Sequence, residues 1–203
     1  MTNFTIAKYN AEDINEISEV HMKAFKGYMN SQMGMNYIIN FIKWFLVNDN
    51  CIALKATSNS FPIGYIVGAP IGYDSKINKD LLLIGLLGII THPKVWINTN
   101  FIRQINARLK ILLTSDLVNV KANLILPGKG ISLVGIAVDP KFAGKKVGQS
   151  LMVKFENTAK ELGFDYMRLS VYSSNKNAIN VYQKSGWNIL AKDNDIFYYF
   201  KKI

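Results

Sequence analysis

Apolar positions along this chain change period several times, and the changes mark out its elements. Phe4 to Tyr9 alternates and predicts a strand. Ile14, Ile17, Val20, His21 and Ala24 then recur at helical spacing behind Ala11-Glu12-Asp13, whose carboxylates suit a helix N-terminus. A second helix is expected over Met35–Leu46, with Tyr37, Ile38, Phe41 and Phe45 on overlapping faces. Between the two lies a compact aromatic turn, Phe25 to Asn30. Cys51–Ala56 and Ile63–Val67 read as strands of a hairpin around the turn cluster Thr57 to Pro62.

Residues 77–115 return to helical spacing, broken at His92-Pro93, and predict two helices inserted into a sheet-based domain spanning 1–203. A strand over Val118–Ile125 and a turn at Pro127 to Gly130 follow. The second half is more regular. Ser132–Val138 predicts a strand stopped by Pro140, and Val147–Leu162 a helix with Leu151, Phe155, Ala159 and Leu162 on one face and Gly163 as its cap. Then come a strand (Tyr166–Tyr172), a short helix (Lys176–Lys184) and two strands (Trp187–Leu190, Ile196–Lys201) joined at Asp193-Asn194-Asp195.

Composition narrows the class. With 49% hydrophobic residues over 203 positions, the chain can fill a sizeable core and is not disordered. The formal net charge of +10 suggests anionic ligands, but the lysines are dispersed and arginine occurs only at 103, 108 and 168. No basic run interleaved with aromatics marks a nucleic-acid face. Cys51, the single cysteine, excludes an internal disulfide framework and fits a reducing compartment. The N-terminus lacks the features of a signal peptide. The apolar run Leu81–Ile90 is about half of the ~20 residues a membrane span needs, so the expectation is a cytoplasmic protein without a stable membrane anchor. No metal-ligand pattern is present.

The stretch Ile136 to Met152 carries the chemistry. It is a strand, a stop at Pro140, a small-residue turn and a helix start. A helix N-terminus leaves about four N–H groups without intrahelical partners, and the helix dipole adds positive potential there. Gly144 and Gly148 have no Cβ to hold a ligand away, and Lys145 and Lys146 add charge. The strand edge at Ile136-Ala137-Val138 can pair with an extended ligand that carries amides. Neither a P-loop nor Gly-x-Gly-x-x-Gly occurs; Gly128-Lys129-Gly130 reads as a turn. Taken alone, the 143–150 turn is equally readable as an ordinary strand-to-helix connection.

Here the sequence resembles motif A of the GNAT superfamily of acyl-CoA N-acyltransferases, Val-x-Pro-x-x-(Arg/Gln)-Gly-x-Gly-x-Gly/Ala. Val138, Pro140, Gly144 and Gly148 match; Ala143 stands in place of Arg or Gln, and Lys146 in place of the middle Gly, which implies a backbone compatible with a side chain there. Asn175, Ala178, Tyr182, Gly186 and Trp187 resemble the family's motif B, in the right order one helix and one strand later. The two motifs together span residues 132–190. A looser likeness, in His21-x-x-Ala24-Phe25-x-Gly27-Tyr28 and Gly34 and in the helical insertion, points to members from bacterial surface-glycan pathways that acylate amino sugars, often nucleotide-linked.

The resemblance implies an α/β (α+β) GNAT fold: a mixed, mostly antiparallel sheet, split near motif A, with helices on both faces. It implies direct attack of an amine on the thioester of acetyl-CoA or a related acyl-CoA, without a metal. Ile136, Ala137 and Val138 would hold the pantetheine arm. The N–H groups of Ala143, Gly144, Lys145, Lys146, Val147, Gly148 and Gln149 would hold the pyrophosphate, with Asn175 and Lys184 also on the cofactor. Tyr182 would act as general acid toward the leaving thiolate. Many members carry a Glu on the strand before motif A; Ser132–Val138 has no carboxylate, so His21 is the candidate base or acceptor contact. His21 also fits a hydrogen-bonded core histidine, and a water relay or a neutral amine is the alternative. Phe25 and Tyr28 are candidate acceptor contacts. The expected partner is a small-molecule amine, an amino sugar or nucleotide-linked amino sugar. The alternatives are a protein, peptide or polyamine acceptor, or a non-catalytic module that binds CoA.

Overall fold

The computed structural model describes residues 3–91 and 126–203. In chain order these form β1 (Thr5–Lys8), α1 (Ile14–Ala24), a one-turn α2 (Met29–Gln32), α3 (Met35–Val47), β2 (Ile52–Ser58), β3 (Phe61–Pro70), α4 (Tyr73–Thr91), β4 (Gly130–Val138), a 3-10 turn (Pro140–Phe142), α5 (Val147–Glu161), β5 (Tyr166–Tyr172), α6 (Lys176–Lys184), β6 (Asn188–Asp193) and β7 (Ile196–Lys202). The seven strands make one sheet in the order β1-β2-β3-β4-β5-β7-β6. All neighbours are antiparallel except β4 and β5. A parallel pair needs a crossover, and α5 supplies it.

Two apolar layers sandwich the sheet. On one face, α1, α3 and the start of α4 pack against Tyr65, Val67, Ala69 and Ala137. On the other, α5 and α6 pack against Ile66, Ile131, Leu133, Met167, Leu169 and Tyr199. Alternation along the strands assigns each residue to its face. α5 lies flush on β3 because Gly68 has no side chain: a Cβ there would stand 2.4 Å from the ring of Phe155. Lys201 Nζ donates to Glu156 Oε2 at 2.6 Å and ties β7 to the same helix.

Several boundaries depart from the sequence expectations. The β2–β3 hairpin is longer and its turn tighter: Asn59 and Ser60, both at positive φ (48° and 69°), make the whole connection. Two residues of left-handed backbone match the twist of the paired strands, which a longer loop would not need. Pro62 falls inside β3, opposite Thr57, where the register shifts by a bulge; a bulge is where a strand tolerates a missing N–H. α2 begins at the end of the aromatic turn and runs on to Gln32. Leu162, expected on the buried face of α5, is its C-cap and 39% exposed; Met152 takes that place in the core. The expected insertion opens with α4, which starts before residue 77. Its remainder to residue 115, His92 and the strand expected over Val118–Ile125 lie outside the described residues. Leu83, Leu87 and Ile90 of α4 face away from the core and are exposed. Among the described residues, no helix is long and apolar enough to cross a membrane.

Candidate active site at the sheet split

β4 and β5 pair only over Gly130–Ser132 and Tyr166–Arg168. Beyond Ser132 they diverge, so the far half of β4 is paired only with β3, through Ile136 to Ile66, Ala137 to Tyr65 and Val138 to Gly64. A register shift opposite Val67 and Gly68 makes Val134 the extra residue of a bulge at the point of divergence. The edge of Ile136, Ala137 and Val138 that faces β5 thus carries backbone groups without a strand partner.

The turn after β4 is pinned at its start. Asp139 N donates to Ile63 O at 2.8 Å, and Asp139 Oδ1 accepts from Lys141 N at 2.9 Å. Lys23 of α1 reaches Asp139 Oδ2 at 3.8 Å. Past the 3-10 turn, Gly144 has φ +75° with nothing within 4 Å of where its Cβ would be, so its backbone faces open space. Lys146, the N-cap of α5, is in the left-handed region at φ 61°. The motif's glycine position therefore keeps a left-handed backbone, which admits a lysine but favours glycine. Among the described residues, the N–H groups of Gly144, Lys146, Val147, Gly148 and Gln149 have no protein acceptor; Ser150 is the first to close on the helix, to Lys146 O at 3.0 Å. Two left-handed residues followed by a helix N-terminus make a concave set of N–H donors, suited to a pyrophosphate. Val147 is buried and anchors the turn, while Ala143, Lys145 and Gln149 are exposed. Lys145 Nζ lies 4.7 Å over the ring of Phe142. The residues present fit the phosphates of CoA.

α6 begins at Asn175, whose Oδ1 accepts from Ala178 N at 3.1 Å. Its carbonyl side is thus committed to capping the helix, which leaves the amide NH₂ for a ligand. Tyr182 is buried in the α5–α6 layer, with its ring centroid 6.0 Å from Trp187 and 6.2 Å from Tyr199. Burial pushes its phenol up to about 12, so it is a protonated donor at any ordinary pH. Lys184 is exposed in the last turn of α6.

His21 is a core residue, 4% exposed, on the opposite face of the sheet from Tyr182. Its Nδ1 is 2.5 Å from the hydroxyl of Tyr65, and its Nε2 is buried without a partner. Desolvation lowers its pKa to about 4 and the same effect raises that of Tyr65, so the pair is neutral. Phe25 stands 4.8 Å from the His21 ring and Tyr28 5.4 Å from Phe25, a short aromatic file that runs out to the surface at Tyr28. Tyr65 was not singled out by the sequence: it is one apolar position in a strand, 44 residues from its partner. A Cβ on Gly135 would lie 3.6 Å from the Tyr65 hydroxyl, so the pair borders the free half of β4.

Residues 109–187 match the family model described as Acetyltransferase (GNAT) family. Over that stretch the chain is similar to GNAT acetyltransferases. A search of curated proteins finds no match. Among solved structures, the chain is similar to PaiA N-acetyltransferase from Thermoplasma acidophilum in complex with coenzyme A, with TM-score 0.63, 18% identity and 99% of both chains covered. A mosquito arylalkylamine N-acetyltransferase-like 5b gives TM-score 0.63 at 14% identity, covering 99% of this chain and 100% of that one. The ribosomal-protein-S18-alanine N-acetyltransferase of Escherichia coli gives 0.59 at 13%, covering 99% and 94%. At these identities the likeness shows the GNAT fold, and the names of the last two carry different acceptors, an arylalkylamine and a protein alanine. The GNAT cosubstrate is acetyl-CoA. Among the described residues no group of three or more His, Cys, Asp or Glu is placed to hold a metal ion.

Proposed function

We propose that this GNAT protein works in the cytoplasm as a single domain over 1–203 and acetylates the amine of a small molecule, an amino sugar or nucleotide-linked amino sugar. The observation that carries the reading is the free edge of Ile136–Val138 standing beside five unpaired N–H groups of the 144–149 turn. Acetyl-CoA supplies an activated thioester. The backbone of Ile136, Ala137 and Val138 holds its amide-containing arm, and the free N–H groups of Gly144 and of Lys146 to Gln149 hold the pyrophosphate; those expected from Ala143 and Lys145 are instead bonded to Pro140 O and Phe142 O. Asn175 contributes its NH₂, and Lys184 a charge at the rim.

The amine's lone pair forms the C–N bond as the C–S bond breaks. Tyr182 gives its proton to the departing sulfur and regains one from solvent. His21, neutral and desolvated, is a weak base; it acts as part of the wall on the acceptor side, and the amine's proton passes to water. Positioning then supplies most of the rate. Phe25 and Tyr28 offer aromatic faces on which a sugar ring or nucleobase stacks, which favours this acceptor over a polyamine.

An assay of CoA release with acetyl-CoA, run against amino sugars, nucleotide-linked amino sugars, peptides and polyamines, tests the reading. Turnover is expected with the sugars. Turnover with peptides or polyamines alone would overturn the acceptor assignment, and no turnover with any amine would favour a non-catalytic CoA-binding module.

A further inference from the structure

Arg168 is the side chain that the proposed chemistry leaves unexplained. It sits at the last residue pair before β4 and β5 diverge, in register with Ser132. Met167 and Leu169 on either side of it belong to the α5–α6 layer, so Arg168 projects from the other face, the one that carries Tyr65, Gly135 and Ala137. Its Nε donates to the hydroxyl of buried Ser132 at 3.2 Å, which fixes the guanidinium plane. Among the described residues no carboxylate forms an ion pair with it. Among the described residues, no acceptor meets the N–H donors of its two terminal nitrogens.

Its surroundings are polar on one side. Tyr198 of β7, half-buried, pairs with Ser170 two residues on from Arg168 and feels the charges of Asp193, Arg168 and Asp74. Those acids act on the phenol, and neither reaches the guanidinium as an ion pair. A half-buried, unpaired guanidinium is costly to keep dry, and a planar fork held at Nε is the form that binds a carboxylate or phosphate through two parallel hydrogen bonds. Ser132 stands two residues before the bulged Val134, so the guanidinium it holds lies beside the start of the free edge of β4. A ligand with its amine at the start of the split and an anionic group about a sugar ring away reaches the guanidinium.

We infer that Arg168, oriented by Ser132, is an acceptor-specificity residue of this enzyme, and that the acceptor is an amine bearing an anionic group, a phosphate or a carboxylate. This rests on the transferase reading of the split. The chemistry of the site does not distinguish a sugar phosphate from an acidic amino sugar, so the test includes both.

Glucosamine, glucosamine 1-phosphate and a carboxylate-bearing amino sugar are compared as acceptors with the wild type, Arg168→Gln and Arg168→Lys, and melting curves confirm folding. The wild type is expected to favour an anionic acceptor over glucosamine. Arg168→Gln should lower kcat/KM for that acceptor about 10- to 100-fold, mainly through KM, and leave glucosamine and the KM for acetyl-CoA unchanged. Arg168→Lys keeps the charge but loses the fork, and should fall between; it also decides the matter if the Gln variant melts early. Equal use of neutral and anionic acceptors by the wild type, or an equal loss on both in the variants, overturns the inference while transfer itself stands. Absence of transfer to every amine, with acetyl-CoA binding intact by calorimetry, removes the transferase reading and this one with it.

Discussion

The two faces of the sheet around β4 handle their proposed ligands in different ways. On the α5 face, recognition falls to backbone: the strand edge at Ile136–Val138 and the N–H groups of residues 144 and 146–149. On the α1–α3 face it falls to side chains brought together from distant elements: His21 from α1, Tyr65 from β3, Ser132 from β4 and Arg168 from β5. Backbone recognition needs a fixed spacing of strand, stop, small residues and helix, and it tolerates Lys146 because the donor there is a peptide group; the N–H of Ala143 is spent on Pro140 O. Side-chain recognition needs chemistry at positions scattered over the chain. On the proposed reading, the first face serves the cosubstrate and the second selects the acceptor.

The comparison can be broken first at Tyr182. If its phenol donates to the leaving sulfur, Tyr182→Phe should lower kcat by about 100-fold with the KM for acetyl-CoA unchanged. Steady-state kinetics on both substrates checks this. Because burial holds the phenol protonated up to about pH 12, no alkaline limb from Tyr182 should enter the pH profile of the wild type below that value.

The acceptor face can be tested through stability. An unfolded histidine titrates near 6.5 and His21 in the fold near 4, so between these values the unfolded state binds more protons and stability falls as pH falls. The loss should reach roughly 3 kcal/mol by about pH 4. Denaturant melts from pH 7 to 4 should show a shallower fall in His21→Leu than in the wild type. Parallel curves would mean that His21 is not held neutral.

On the cosubstrate face the effects are smaller and separable. Lys146→Glu places a carboxylate beside the turn and should raise the Kd for acetyl-CoA about tenfold, most at low salt, measured by calorimetry. Lys146→Gly removes the charge but relieves a left-handed residue, so it should stabilise the fold by about 1 kcal/mol while weakening binding less than the Glu variant. A destabilised Gly variant would contradict the strained backbone at 146.

What could be read in the sequence follows the same division. The bounds of β5 and α6 were legible to the residue, because apolar period, Gly163 and the Asn175 cap all point to the same ends. The turn proposed for the cosubstrate was legible as a strand-to-helix spacing, although the left-handed backbone of Lys146 was not, since nothing in a lysine announces positive φ. The Asn59-Ser60 turn was hidden by Pro62, which reads as a breaker until the bulge opposite it is seen. Leu162 looked buried by period alone, but the helix ends before it. His21 was visible as a core histidine or a base; its partner Tyr65 and the unpaired state of Arg168 depend on strand register, which no local pattern states.

The central claim is that acetyl-CoA lies along the free edge of β4 and into the turn at α5. Titration of ¹⁵N-labelled protein with CoA tests it most directly, through the backbone amide resonances. The largest shifts are expected at residues 136–138 and 143–149, with saturation at one equivalent. Shifts clustered elsewhere, or none at saturating CoA, would contradict it.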